Sequence, residues 1–355
     1  MLTNEIRPKT FEDVVGQEVA KELLSMRVAC FKKTSQASGH MLFLGPAGLG
    51  KSTLSLVTAN AMGVKLHSIM GTRINSFEDL LEILNEIEKN DILFIDEIHA
   101  LRPKIQEELY GIMEDFQYDS IEAIDYYTTK KVKRSLPHFT VIGATTHGGK
   151  LNEPLRTRFS LTINLENYNV LQLVSILQNI ANRSYDIVDL PLNVASKIAS
   201  LSKGNARNSI NLFKNLMESI ESQVRGKITS DDITLSHLEK LVKLLSIDPY
   251  IGLDRMTRQY LVILASETHP LGISTLVSML NEQEDVVRTI VEPYLLNGDI
   301  QVSGQTINLF GPFVKTSRAG REITPNGKKY LDYCRELQSH NWFPNEKLNY
   351  NINNI

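Results

Sequence analysis

HMLFLGPAGLGKSTLSL occupies residues 40–56. An apolar run meets a glycine-rich turn, and Lys51 and Ser52 then open a helix-like pattern. GPAGLGKS (45–52) fits G-x-x-x-x-G-K-[ST] in full, in the strand-then-helix setting that the motif requires. Gly45, Gly48 and Gly50 let backbone N–H groups turn inward around Pro46 and Leu49, and the helix start adds a favourable dipole. Phosphates of a nucleotide are the expected ligand. Lys51 is placed to meet the β- and γ-phosphates, Ser52 to hold Mg²⁺, and Thr53 follows in the same turn.

DILFIDEIH (91–99) is the partner stretch. Its apolar residues bury a strand, and two acids stand at the C-terminal end, where α/β sheets place ligands. Asp96 is expected in the Mg²⁺ shell, and Glu97 is expected to polarise an attacking water. Two acids in succession favour hydrolysis of ATP over a binding switch alone. His99 reads as a structural or surface histidine.

Outward from these motifs, MLFLG (41–45), DILFID (91–96), FTVIGATT (139–146) and LTINL (161–165) read as strands. FEDLLEILNEIEK (77–89) has helical spacing. Alternation of this kind implies a parallel sheet covered on both faces. Residues 166–245 read as helices only. From 246 to 338, three helical stretches precede β-type segments and a last helix, which suggests a winged helix-turn-helix. The final stretch, 339–355, is Asn-rich and aperiodic and is expected to be disordered or loosely packed.

The composition is that of an ordinary globular chain: 355 residues, 42% hydrophobic, 22% charged, net charge −3. Any nucleic-acid contact must therefore be a local basic patch. KTSRAGREIT (315–324) is that patch, with Lys315, Arg318 and Arg321 on a glycine-containing turn. Cys30 and Cys334 have no metal-type spacing and read as free thiols. No apolar leader or membrane-length apolar run is found, so a cytoplasmic location with no membrane contact is expected.

VIGATT (141–146) ends in Thr145 and Thr146, level with the acids, where Thr146 can position water or sense the γ-phosphate. NEPLRTRFS (152–160) carries Arg156 and Arg158. SKGNARNSINLF (202–213) places Arg207 at a helix start. In this order these features resemble an AAA+ ATPase, and more closely the RuvB family of Holliday-junction branch-migration motors. The likeness rests on IRPKTFEDVVGQ (6–17), GPAGLGKSTL (45–54), DILFIDEIHAL (91–101), EELYGIMED (107–115), LPHFTVIGATT (136–146), EPLRTRF (153–159), GLDRMTRQYL (252–261) and VEPYLL (291–296). It spans about residues 5–335.

The resemblance implies an α/β P-loop AAA+ domain with a parallel sheet (1–165), a helical lid (166–245) and a winged-helix domain (246–338). It implies that Arg158 reaches the ATP of a neighbouring subunit, that Thr146 and Arg207 are the two sensors, and that Arg7, Pro8, Val15 and Tyr168 edge the adenine pocket. It also implies a homo-hexameric ring on duplex DNA at four-way junctions, with a RuvA-like partner. Residues 117–135 depart from the family pattern. They are tyrosine-rich and basic, and lack the glycine of the apolar hairpin that docks RuvA, so that partnership is not carried over on this stretch. Residues 297–311 look like an insertion before the wing. GNAR stands where the family has proline before the arginine. A nucleotide-switched loader or initiator shares the same core and stays open as an alternative.

Overall fold

The computed structural model describes residues 7–123, 129–224, 226–296, 301–303, 308–344 and 346–348. The chain forms two compact units, Met1–Tyr168 and Asn169–Ile355.

In the first unit the elements run α1 (Glu18–Thr34), β1 (Met41–Leu44), α2 (Lys51–Met62), β2 (Leu66–Met70), α3 (Phe77–Leu84), β3 (Ile92–Asp96), α4 (Pro103–Asp115), β4 (Gln117–Ala123), β5 (Thr129–Ser135), β6 (Thr140–Thr145), α5 (Glu153–Thr157) and β7 (Leu161–Asn164). Five strands make one parallel sheet in the order β2-β3-β6-β1-β7. Every residue of β6 is buried, as are the apolar residues of β3, the pattern of strands covered on both faces. Gly143 is tightly enclosed in mid-strand, where a Cβ would lie 3.0 Å from both the Ile98 and Phe159 side chains.

Two features depart from the sequence reading. The edge strand β2 is an addition. Its buried His67 breaks the apolar run, and the imidazole bonds the Asp91 carboxylate at 2.9 Å. That carboxylate also accepts from the Lys65 and Glu88 backbone N–H groups. The second departure is the stop of α3 at Leu84 rather than near 89. Asp91 captures the Glu88 N–H and Asn90 takes a left-handed φ of 74°, so the chain turns into β3 instead of continuing the helix.

Residues 117–123 and 129–135 pair antiparallel, β4 with β5, in register from Gln117 opposite Ser135 to Ala123 opposite Thr129. Residues 124–128 lie outside the described residues.

The second unit opens with α6 (Val170–Tyr185), α7 (Leu192–Leu201), α8 (Ala206–Glu221) and α9 (Leu235–Leu244). Side-chain caps on Asn169, Asn205 and Thr234 set three of the four starts. Leu177, Val194, Ile198, Phe213 and Leu216 are fully buried in this bundle. There follow α10 (Arg255–Ser266), α11 (Ile273–Leu280), α12 (Glu284–Val286), a π-helical segment Val287–Val291 and α13 (Glu292–Leu296). Then come β8 (Gln301–Ser303), β9 (Asn308–Phe310), β10 (Val314–Ser317), β11 (Gly320–Ile323) and α14 (Pro325–Ser339). Strands β10 and β11 pair as a two-stranded ribbon, so helices followed by a wing are present. The expected insertion 297–311 is described only at 301–303 and 308–311, where β8 pairs with β9.

The bundle and the winged part touch closely inside this unit. A Cβ on Gly252 (φ 72°) would collide with the Leu201 carbonyl group, so only glycine fits. The expectation of a loose tail from 339 is corrected for its described part. Phe343 and Leu348 are buried. Glu346 pairs with Arg258, whose side chain is fully buried and whose guanidinium lies 3.7 Å from the centre of the Phe343 ring. Among the described residues both cysteines are free, Cys30 exposed and Cys334 buried.

Candidate active site

Strand order decides what meets at the C-terminal edge of the sheet. Because β6 lies between β1 and β3, the loop after β1, the Thr145–Thr146 step after β6 and the Asp96–Glu97 step after β3 share one edge. The loop takes the backbone that its glycines permit, with φ of 145° at Gly45, 84° at Gly48 and 99° at Gly50. Lys51 opens α2 and is buried. Its ammonium donates to the Gly45 carbonyl at 2.7 Å and the Pro46 carbonyl at 3.0 Å. Ser52 and Thr53, half-buried, complete the first turn.

Two side chains fasten this loop from outside the motif. The Tyr168 hydroxyl donates to the Leu49 carbonyl at 3.0 Å, and the Gln17 amide donates to the same oxygen at 3.4 Å. Gln17 also bonds the Glu166 backbone in both directions. A Cβ on Gly50 would come within 3.1 Å of the Tyr168 hydroxyl. Tyr168 thus touches the phosphate loop itself. Its burial raises its phenol pKa, which keeps the donor proton in place. Arg7 is exposed, and Pro8 and Val15 are half-buried on the segment before α1.

Glu97 sits in the left-handed region, φ 50° and ψ 48°, an uncommon backbone for a residue with a Cβ. Gly71 makes room for it, since a Cβ there would lie 2.5 Å from the Glu97 carbonyl oxygen. Asp96 accepts the Glu97 N–H at 3.0 Å. One Glu97 carboxylate oxygen accepts from the Thr146 hydroxyl at 3.3 Å and the Thr146 N–H at 3.4 Å. The expected Thr146–Glu97 neighbourhood is therefore present. His99 is more than a surface histidine. Its Nδ1 lies 3.1 Å from the same Glu97 oxygen and 2.8 Å from the Thr145 hydroxyl. A proton on Nδ1 satisfies both contacts, whereas a bare lone pair would face the carboxylate. The sequence carried no periodic signal for this contact, which spans two strand ends.

Arg158 lies at the C-terminal end of α5, with Arg156 exposed on the same helix. Its guanidinium bonds the Tyr110 hydroxyl at 2.8 Å and pairs with the Glu114 carboxylate. These contacts raise its pKa, the Tyr110 bond foremost. Behind it, His40 is buried and uncharged. Nδ1 accepts the Val141 N–H at 2.9 Å, so the proton is on Nε2, which donates to the Met113 carbonyl. Desolvation lowers its pKa, and the nearby Arg158 charge adds to that effect.

Arg207 belongs to the second unit. It is exposed in the first turn of α8, where the Asn205 side chain caps its N–H at 2.9 Å. A cation there opposes the helix dipole.

The wing needs one correction. Arg321 is not an open phosphate contact. Its side chain is 14% exposed and bonds the buried Glu292 carboxylate at 2.8 Å, which also accepts from the Tyr260 hydroxyl at 2.9 Å. The alternation of β11 turns Arg321 onto the core side, where it neutralises Glu292. Lys315 faces Glu322 across the ribbon at 2.6 Å and remains 63% exposed. Arg318 stands exposed at the turn. Replacing Arg318 with alanine should reduce the slope of log affinity for duplex DNA against log salt by about 1. An unchanged slope in a salt titration would place the DNA contact elsewhere.

Comparison with known proteins matches these features in order. The family model "Holliday junction DNA helicase RuvB P-loop domain" matches residues 6–165, and "RuvB C-terminal winged helix domain" matches 250–302. A RuvB subunit of the Holliday junction branch migration complex from Nitratiruptor sp. is 38% identical over 298 residues, which are 83% of this chain and 86% of that protein. The chain belongs to the RuvB family. The RuvB subunit of Rickettsia africae is 36% identical over 95% of this chain and 93% of its own length. Among solved structures, the Thermotoga maritima RuvB Holliday junction branch migration motor superposes with a TM-score of 0.76 at 30% identity, covering 93% of this chain and 99% of that one. A point mutant of the same Thermotoga maritima protein superposes with a TM-score of 0.77, also at 30% identity, covering 92% of this chain and 98% of that one. The P-loop, the sheet and the wing described above are thus RuvB features, and the site binds nucleotide.

Proposed function

We propose that this chain is an ATP-hydrolysing motor subunit that drives branch migration at four-way DNA junctions. The observation that carries the reading is the meeting of Lys51, Asp96, Glu97 and Thr146 on one sheet edge, in a chain that also bears a wing with Arg318 exposed at its turn.

The donor set fits Mg²⁺. Ser52 offers a hydroxyl and Asp96 a carboxylate, both hard oxygen ligands, and among the described residues no cluster of three His, Cys, Asp or Glu side chains could form an all-protein cage. Mg²⁺ is held in this sparse manner when phosphates and waters complete its shell. When bound, it neutralises charge on the β- and γ-phosphates.

The chain's own groups do the rest. Lys51 exchanges its two loop carbonyls for phosphate oxygens. The Glu97 carboxylate takes a proton from water as the water oxygen bonds to the γ-phosphorus, and the bridging bond to ADP breaks. Thr146 and His99 hold that carboxylate in place. Arg158 of an adjoining subunit meets the γ-phosphate, and Arg207 keeps the second-sensor role that the family resemblance implies. The three-domain division at 165, 245 and 338, a homo-hexameric ring and a RuvA-like partner belong to the same reading.

The test is dissociation of a synthetic four-way junction by the purified protein with ATP and Mg²⁺, with and without a RuvA protein. Glu97→Gln should lose at least about 10²-fold in hydrolysis and all junction dissociation. ATP hydrolysis with no dissociation in either condition would favour a nucleotide-switched loader instead.

A further inference from the structure

Arg158 is gripped by a second helix. Tyr110 and Glu114 stand one turn apart on α4, so they share a face, and that face receives the guanidinium. The Tyr110 ring centre is 4.6 Å from the guanidinium carbon. The Nη2 group bonds both the Tyr110 hydroxyl and the Glu114 carboxylate. Nε is shut off from water and has no hydrogen-bond partner among the described residues. Nη1 bonds no described residue, and the side chain keeps 31% of its surface exposed. One nitrogen is therefore pinned, the stem is packed, and the other terminal nitrogen points its donors outward.

An arginine on an open stem spreads over many rotamers, and a group acting on a transition state must already occupy one of them. We infer that Tyr110 and Glu114 are positioning residues, which hold Arg158 in the orientation it presents to a neighbouring subunit's γ-phosphate. The ring sets the plane of the guanidinium, and the carboxylate fixes which nitrogen is left over. The inference rests on the trans role proposed for Arg158.

A mixed assembly separates the two. Subunits carrying Glu97→Gln keep the arginine and cannot hydrolyse. Subunits carrying Arg158→Ala keep Glu97 and lack the arginine. Hydrolysis then occurs only where the first kind adjoins the second. Tyr110→Ala placed in the arginine donor should lower kcat about 10- to 100-fold at unchanged KM for ATP. The same change placed in the Arg158→Ala subunit should have no effect. Tyr110→Phe, which keeps the ring and the fold, should cost the donor less than Tyr110→Ala. Glu114→Gln in the donor should also lower kcat. Equal losses in either location, or none in the donor, would overturn the proposal. A gain from Glu114→Gln would overturn it too, by showing that the carboxylate withholds the arginine. Silence of the parent mixture, in an assembly verified as mixed, would remove the trans role and this inference with it.

Discussion

Arg158→Ala should slow ATP hydrolysis by roughly 10³- to 10⁵-fold, the range for an arginine supplied to a phosphoryl-transfer site from a neighbour, while ATP binding is kept. The reason is geometric. Within its own chain Arg158 is held by α4 through Tyr110 and Glu114, whereas Glu97 is bonded to Thr146 and His99. No contact joins Arg158 to that acid cluster among the described residues. Under the proposed trans role its charge acts on another subunit's nucleotide. Mixing Arg158→Ala with Glu97→Gln subunits should restore part of the activity that each lacks alone. Nucleotide affinity and steady-state hydrolysis, measured on the separate and mixed proteins, check both halves. Failure to rescue would take the arginine out of the neighbour's site. A loss of binding equal to the loss of rate would make its role local.

The second large effect concerns stability. Glu346→Ala should destabilise the second unit by about 3–5 kcal/mol, the cost of stranding a buried charge. Arg258 has no exposed side-chain surface, and Glu346 keeps only 7%. The guanidinium also donates to the Ser246 and Leu253 carbonyls, but neither supplies a negative charge. Replacing both partners, as Arg258→Met with Glu346→Leu, should cost much less, because neither member of the pair then keeps a buried charge without the other. The chain offers its own probe. Trp342 is the sole tryptophan of the sequence and adjoins Phe343, which packs on Arg258. Urea unfolding followed by its fluorescence should show the shift. An unmoved midpoint in Glu346→Ala would mean that this ion pair contributes nothing to the fold.

Much of this architecture is written locally. Strands β1, β3 and β6 each carry an apolar run that the sheet then buries, the edge strand β7 buries Ile163 alone, and the helices of the second unit carry apolar spacing with caps such as Asn169 and Thr234. The phosphate loop is equally local. Its conformation needs glycine at 45, 48 and 50, and its lysine follows at once. Asp96 and Glu97 are legible because a buried strand ending in acids has few other uses.

What pattern could not give shares one physical cause. β2 is an edge strand interrupted by a histidine, and it is held by Asp91, which lies 24 residues away from His67. Arg321 reads as a solvated cation of a basic turn until Glu292, 29 residues upstream, is found beneath it. The tail reads as disordered until Arg258, 88 residues away, is seen to require Glu346. His99 reads as incidental until the sheet order brings Thr145 to it. Periodic burial leaves a mark on neighbouring residues, because a helix or strand shows one face to the core. A buried polar pair leaves none, since each partner is an ordinary charged residue in its own stretch. The sequence by itself determined the parallel sheet, the phosphate loop and the helical order. Tertiary structure alone decided which charges are neutralised inside and which remain exposed, because each buried partner comes from a distant part of the chain.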